Sequence, residues 1–265
     1  MSAKSPLGER SSYPASYSPD LLHPISRMEN RRILGLGTGL PFHGEDVWNA
    51  YELTWLDAKD KPRVAVAELR VPCESANIIE SKSMKLYLNS LSMSRYESAD
   101  DVTATIADDL TRVTGSPVTV KLISPEIGVF PGVCIDDLEV ICDSTAVDAE
   151  LLRTEDGESR SEVLHSHLLR SLCPVTDQPD LGSLLIRYEG PAINRESLLR
   201  YITTFRNHND FHESCVERIF LDIKQQCSPE ALTVYARYNR RGGIDINPFR
   251  SNYETTVANT RLWRQ

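Results

Sequence analysis

Apolar and polar positions alternate along VWNAYELTWLD from Val47, break at the polar stretch 60–62, and alternate again along RVAVAELRV from Arg63, which predicts a β-hairpin. Two helical patterns follow. One runs over 81–96; the other places Val102, Ile106, Leu110 and Val113 on one face, is begun by Asp100 or Asp101, and is stopped at 115–117 by Gly-Ser-Pro. VTVKLIS from Val118 and the stretch 138–142 read as two more strands. The second half repeats this order: a strand over 163–172, the alternating SLLIRYE from Ser183, helices over 194–208 and 212–226, the strand LTVYARY from Leu232, a turn at Gly242-Gly243, and a return strand from Ile244.

The chain thus reads as strand, strand, helix, helix, strand, strand, performed twice, in an α+β arrangement of antiparallel sheets with paired helices on one face. The expected divisions are an N-terminal extension over 1–45, a first domain over 46–147, an acidic, Gly-containing linker over 148–161 and a second domain over 162–265. Each sheet is covered on one side only, so the open faces must be buried by pairing of the halves or of chains, and an oligomer is expected.

Composition narrows the function classes. With 29 basic and 38 acidic residues the net charge is -9, which repels nucleic acid and anionic lipid, so an anionic ligand needs a local cluster of cations. The segment 1–20 carries Ser, Pro and Tyr but no apolar run, so neither a signal peptide nor a membrane span is expected, and the chain is placed in the cytosol. The six cysteines form no CxxC pair, which argues against a zinc ribbon and, in that compartment, against disulfides; each reads by default as a small buried hydrophobe.

Four stretches could carry chemistry. IESKSMK, from Ile79 to Lys85, lies where a strand gives way to a helix. It reads plainly as a helix start with Ser81 as N-cap and Glu80 and the lysines solvated, or as an anion site made of free helix amides and two lysines. CPVTDQPD places a thiol, Cys173, seven residues before a carboxyl group, Asp180, in a turn-rich loop whose prolines can fold it back; the plain alternative is a buried Cys beside an Asx turn. Phe211-His212-Glu213 opens a helix, where His212 reads as a hydrogen-bonded structural histidine and Glu213 as a favourable N-terminal charge; His208 and His212 stand four apart but lack the HExxH pattern, and no metal is expected. Arg237, Arg240 and Arg241, followed by Gly242 and Gly243, form the local basic cluster a phosphate-bearing ligand would require, or else protect an edge strand. The stretch 35–39, GLGTG, has the wrong spacing for a dinucleotide fingerprint and reads as a loop.

Taken together, ESKSMKLYLNS, CPVTDQPD, FHESCVERIF and YARYNRRGGIDINPFRSN, with the TRLWRQ tail, resemble the 7-cyano-7-deazaguanine reductases of the long, two-domain type over nearly the whole chain. The resemblance implies tandem tunnelling-fold domains, a homodimer, NADPH as cofactor and reduction of a deazapurine nitrile to an amine within queuosine biosynthesis. It implies that Cys173 forms a covalent thioimide and Asp180 donates a proton. Ile79, Glu80, Ser81, His212 and Glu213 would contact substrate, Ser81 with Lys82 and Arg241 with Gly242 would contact NADPH, and Phe211 could stack on the ring. Chemistry then demands an available thiolate at Cys173 and a held proton on Asp180, so their pKa values are expected to move apart. One departure stands out: Leu181 follows Asp180 where relatives commonly carry an aromatic residue. Competing readings are a tunnelling-fold cyclohydrolase or thiol hydrolase on a purine-like ring, and a non-catalytic purine- or pterin-binding scaffold.

Overall fold

The computed structural model describes residues 14, 16–37 and 39–265; most of the expected start of the N-terminal extension, and Thr38 of the GLGTG stretch, lie outside them. The chain divides into two compact units. Of the described residues, those up to Gly37 together with 46–125 and 240–245 form the first, and residues 39–45, 126–239 and 246–265 the second. Segment 148–161 falls in the second unit, where it holds a short 3-10 turn, Ala149–Leu151, and the start of a strand.

The first unit contains β1 (Pro24–Ser26), α1 (Arg27–Ile33), most of β2 (His43–Leu56), β3 (Pro62–Pro72), β4 (Asn77–Ile79), α2 (Ser81–Ser90), α3 (Ala99–Thr114) and β5 (Thr119–Ile123). The hairpin β2–β3 closes through a turn in which Asp57 N–H donates to Lys61 O at 3.0 Å and Asp60 takes a left-handed φ of 59°. β3 sits between β2 and β5 and pairs antiparallel with β5, while β1 and β4 form a separate two-stranded ribbon. α3 buries Val102, Ile106 and Leu110 completely. That i, i+4, i+8 stripe stabilises by about 1.5–3 kcal/mol per side chain removed from water.

The second unit contains β6 (Val133–Cys134), β7 (Arg160–Leu172), β8 (Pro179–Gly190), α4 (Arg195–Thr203), α5 (His212–Cys227), β9 (Ala231–Tyr238) and most of β10 (Ile244–Ser251). β7, β8, β9 and β10 pair antiparallel in that order, and α5 packs on β9. Phe130, Leu185, Tyr235, Phe249 and Leu262 make one buried cluster, so the C-terminal tail belongs to this core. Arg250, fully buried, is neutralised by Glu217 at 2.9 Å.

Several expectations are corrected. α2 ends at Ser90, six residues short of the expected end, because Leu91 to Ser94 turn back on it through Ser94 N–H to Leu91 O. α3 is capped by Ser98, not by Asp100 or Asp101: Ser98 and Asp101 exchange hydrogen bonds in a capping box. The stretch 138–142 is not a strand; Val133–Cys134 is, and it runs parallel to β7, so the pairing is not purely antiparallel. The second half therefore completes the ββααββ order while the first unit stops at β5. α4 ends at Thr203 and tightens to a 3-10 turn over Thr204–Asn207. Of the cysteines, Cys73, Cys215 and Cys227 are buried, Cys134 and Cys142 are exposed, and Cys173 is intermediate.

Candidate functional site

In the second unit, the site grows from the β7–β8 hairpin. Its loop closes on itself: Cys173 N–H donates to Gln178 O and Asp177 N–H to Cys173 O, both at 3.0 Å, and Asp177 adopts a left-handed φ of 55° while its carboxylate accepts from the Asn209 amide. Folding back in this way sets Asp180 across from Ser171, so a carboxyl group seven residues away in sequence acts on the Cys173 thiol in space. Burial and the Asp180 charge oppose ionisation of that thiol. Hydrogen bonds from the Thr176 hydroxyl and the Val175 and Thr176 amides outweigh both, and the Cys173 pKa is net lowered.

Asp180 is itself buried, 4% exposed, and its Oδ2 lies 3.2 Å from His212 Nε2. The His212 ring is held on two further sides: it stacks on Tyr238 with centroids 3.6 Å apart and planes 11° apart, and its Nδ1 contacts Ile246 O at 3.2 Å. A Nδ1–H given to that carbonyl leaves Nε2 to face the carboxyl group. Phe211 is the N-cap residue of α5, and Glu213, buried at 5%, sits in its first turn, where the helix dipole favours a negative charge. Behind Asp180, Cys215 is wholly buried next to the Ser171 and Tyr238 hydroxyls, and burial pushes its thiol pKa far up, so it is not a second nucleophile.

In the first unit, Ile79 ends β4 as a buried residue and Glu80 caps α2. The Glu80 carboxylate is 1% exposed and accepts from Lys82 N–H at 2.6 Å and Ser83 N–H at 2.8 Å. This corrects both readings of the stretch: the N-cap is Glu80 and not Ser81, Glu80 is not solvated, and two amides expected to be free for an anion are taken by it. Ser81 and Lys82, in the first turn, remain partly exposed. Arg240 lies 3.8 Å from Glu52 and stacks over Tyr51 at 5.0 Å; Arg241 N–H donates to Ile244 O at 2.9 Å, closing the turn in which Gly242 has φ 61°. A Cβ on Gly242 would stand 3.0 Å from the Lys85 Cδ and Cε atoms. The turn and α2 line a cavity of about 320 Å³ with Glu52, Thr54, Lys85, Asn89 and Gly243.

The expected basic cluster is smaller than the spacing suggested. Arg237 is fully buried in the second unit, bonded to Tyr235 Oη at 2.9 Å and to Asn259, which leaves Arg240, exposed, and Arg241, partly exposed. Leu181 is 43% exposed at the start of β8. Thr176 and Tyr238 had no role assigned from sequence. The first could have been found as a hydroxyl three residues past the thiol in a tight turn; the second could not, since its stacking partner lies on another element.

Among the described residues no helix is long and apolar enough to cross a membrane. Residues 13–122 match the family model described as "Nitrile reductase, 7-cyano-7-deazaguanine-reductase N-term", and residues 179–256 match the one described as "QueF-like protein". A protein of Dechloromonas aromatica (strain RCB) named NADPH-dependent 7-cyano-7-deazaguanine reductase is 52% identical over 269 residues, covering 98% of this chain and 95% of its own. One of the same name from Desulfotalea psychrophila (strain LSv54 / DSM 12343) is 50% identical over 268 residues, covering 98% and 97%. A crystal structure of the archaeosine synthase QueF-Like in the apo form aligns with 38% of the chain at 14% identity and a TM-score of 0.33, too low to bear on the fold. Half-identity sustained over 98% of the chain places this protein in the family of NADPH-dependent 7-cyano-7-deazaguanine reductases.

Proposed function

We propose that this chain reduces 7-cyano-7-deazaguanine to its primary amine with NADPH through a covalent bond to Cys173. The observation that carries the reading is a thiol with a lowered pKa, set in a closed turn beside the buried Asp180 and its partner His212. In this mechanism the Cys173 sulfur adds to the nitrile carbon, the displaced π pair moves to nitrogen, and Asp180 supplies the proton, giving a thioimide. NADPH supplies two hydrides in succession. Between them the sulfur leaves as thiolate, and the amine takes its remaining protons from Asp180 and solvent. His212 keeps the Asp180 carboxyl group aimed at the reacting nitrogen, and solvent returns the proton to Asp180.

The deazaguanine ring presents an N–H and an exocyclic amine side by side, a donor pair that a carboxylate accepts in two parallel bonds. Glu213 and Glu80 are the buried carboxylates of suitable chemistry; the oxygens of Glu80 already accept from helix amides but retain lone pairs. Phe211 can stack on the ring face, a contact of about 1–3 kcal/mol. For the cofactor, the glycine turn and its cavity, lined by Lys85, with Lys82 in the first turn of α2 and Arg241 in the glycine turn itself, fit a phosphate-bearing ligand. Tandem tunnelling folds, assembly as a homodimer and a cytoplasmic, queuosine-pathway role belong to the same proposal.

Intact-protein mass spectrometry with substrate and without NADPH tests it. The expected result is a gain of the full substrate mass, absent in Cys173→Ala, with two NADPH oxidised per substrate when cofactor is added. A Cys173→Ala chain that turns over at the normal rate, or product formed with no NADPH consumed, overturns it; the latter outcome is what a hydrolase predicts.

A further inference from the structure

On β7, the first arm of the β7–β8 hairpin, and on the edge strand β6 that pairs with it, three ligand-type side chains converge. Cys134, exposed on β6, faces His165 as its direct partner across the parallel β6–β7 pair, and His167, two residues on in the β7 bulge, brings its ring centroid to 5.4 Å from that of His165. One ligand atom of each lies within 4.8 Å of the others. We propose that Cys134, His165 and His167 bind a divalent ion of the zinc class.

The backbone is built to bring them together. Gly132 has φ 85°, and a Cβ there would meet the Val163 carbonyl oxygen at 2.1 Å, so only glycine lets the segment before Cys134 lie against β7. Ile135 N–H then donates to His165 O at 3.0 Å. The register of β7 on β8 shifts between Ser166 and Leu169, and His167 N–H leaves the ladder to donate to the Asp136 carboxylate at 3.0 Å. The bulge and the β6 segment are thereby tied on both sides of Cys134.

The imidazoles are also oriented. His165 Nδ1 contacts Pro131 O at 3.1 Å and His167 Nδ1 contacts Ser183 Oγ at 2.8 Å, so each ring has its δ nitrogen engaged and its ε nitrogen left for a metal. This is the outer-shell pattern that fixes the tautomer of ligating histidines. Phe130 packs edge-on to His165 and Trp263 edge-on to His167, giving the apolar collar such sites carry. Zinc–nitrogen and zinc–sulfur bond lengths at tetrahedral angles place donor atoms roughly 3.3–3.6 Å apart, so the set must contract by about an ångström, which rotation of the exposed Cys134 side chain can supply. On binding, Cys134 releases its proton to solvent and coordinates as thiolate; solvent fills the fourth position. One thiolate and two imidazoles select a borderline ion over magnesium or calcium.

Cobalt(II) titration of the purified chain tests this. The wild type and Cys173→Ser should both bind one equivalent with a thiolate-to-cobalt charge-transfer band, and zinc should displace it. Cys134→Ser should lose the band, and His167→Gln should weaken binding by more than about 100-fold, since loss even of an outer-shell partner costs about 10–100-fold. Bound zinc should also protect Cys134, mapped by peptide mass, from iodoacetamide. Absence of binding to the wild type, a band that survives in Cys134→Ser, or one lost in Cys173→Ser overturns the assignment.

Discussion

His212 Nε2 and Asp180 Oδ2 stand 3.2 Å apart, with the imidazole lying flat on Tyr238, so the group assigned as proton donor has a neighbour whose ring is held in place by stacking. Replacing Asp180 by Asn removes the proton but keeps the shape. The nitrile reduction rate, followed by NADPH absorbance, should fall by about 10²–10⁴-fold, the usual worth of a positioned acid, with the circular dichroism spectrum unchanged. His212→Phe keeps the stack on Tyr238 and loses Nε2; its rate should fall too, and an unaltered rate would count against the pairing.

Thr176 controls the nucleophile through a hydrogen bond to its sulfur. Because hydrogen bonding lowers the Cys173 pKa, alkylation by iodoacetamide should rise through a midpoint below the ordinary thiol range. Thr176→Val removes one donor, so the midpoint moves up and alkylation at neutral pH slows. A midpoint unmoved by this change would show that the backbone amides suffice.

Glu80 holds two helix amides while buried at the start of α2. Glu80→Ala leaves both without a partner, and equilibrium denaturation should show a loss of about 0.5–2 kcal/mol, the range for a lost N-cap. Glu80→Gln keeps an acceptor oxygen and should recover part of that. If Glu80 also holds the deazaguanine ring, the Gln variant raises KM beyond what its stability explains.

Gly242 combines a left-handed backbone with close approach to Lys85. Gly242→Ala should cost about 1–2 kcal/mol in stability from the strained conformation. It should also raise the KM for NADPH more than the KM for the nitrile. Equal effects on both would remove the glycine turn from the cofactor site.

Glu217 and Arg250 neutralise each other with no access to water. Glu217→Ala should destabilise by about 3–5 kcal/mol, read from the denaturant midpoint, because it strands a buried guanidinium charge.

Local rules decided much of this protein before any folding in space. Alternation in VWNAYELTWLD and RVAVAELRV specifies the β2–β3 hairpin, and the apolar stripe of Val102, Ile106 and Leu110 specifies α3, since both depend only on which face of an element must leave water. The spacing of Cys173 and Asp180 in a proline-flanked turn allowed either a working pair or a buried Cys beside an Asx turn, and the folded loop is what brings the two groups together. What tertiary structure decided was every relation between distant segments: Glu80 as a buried cap, Arg237 as a core residue, Tyr238 beneath His212, and Cys134 opposite His165. These depend on register and packing between elements tens of residues apart, and periodicity along one segment carries no information about which neighbour it will meet.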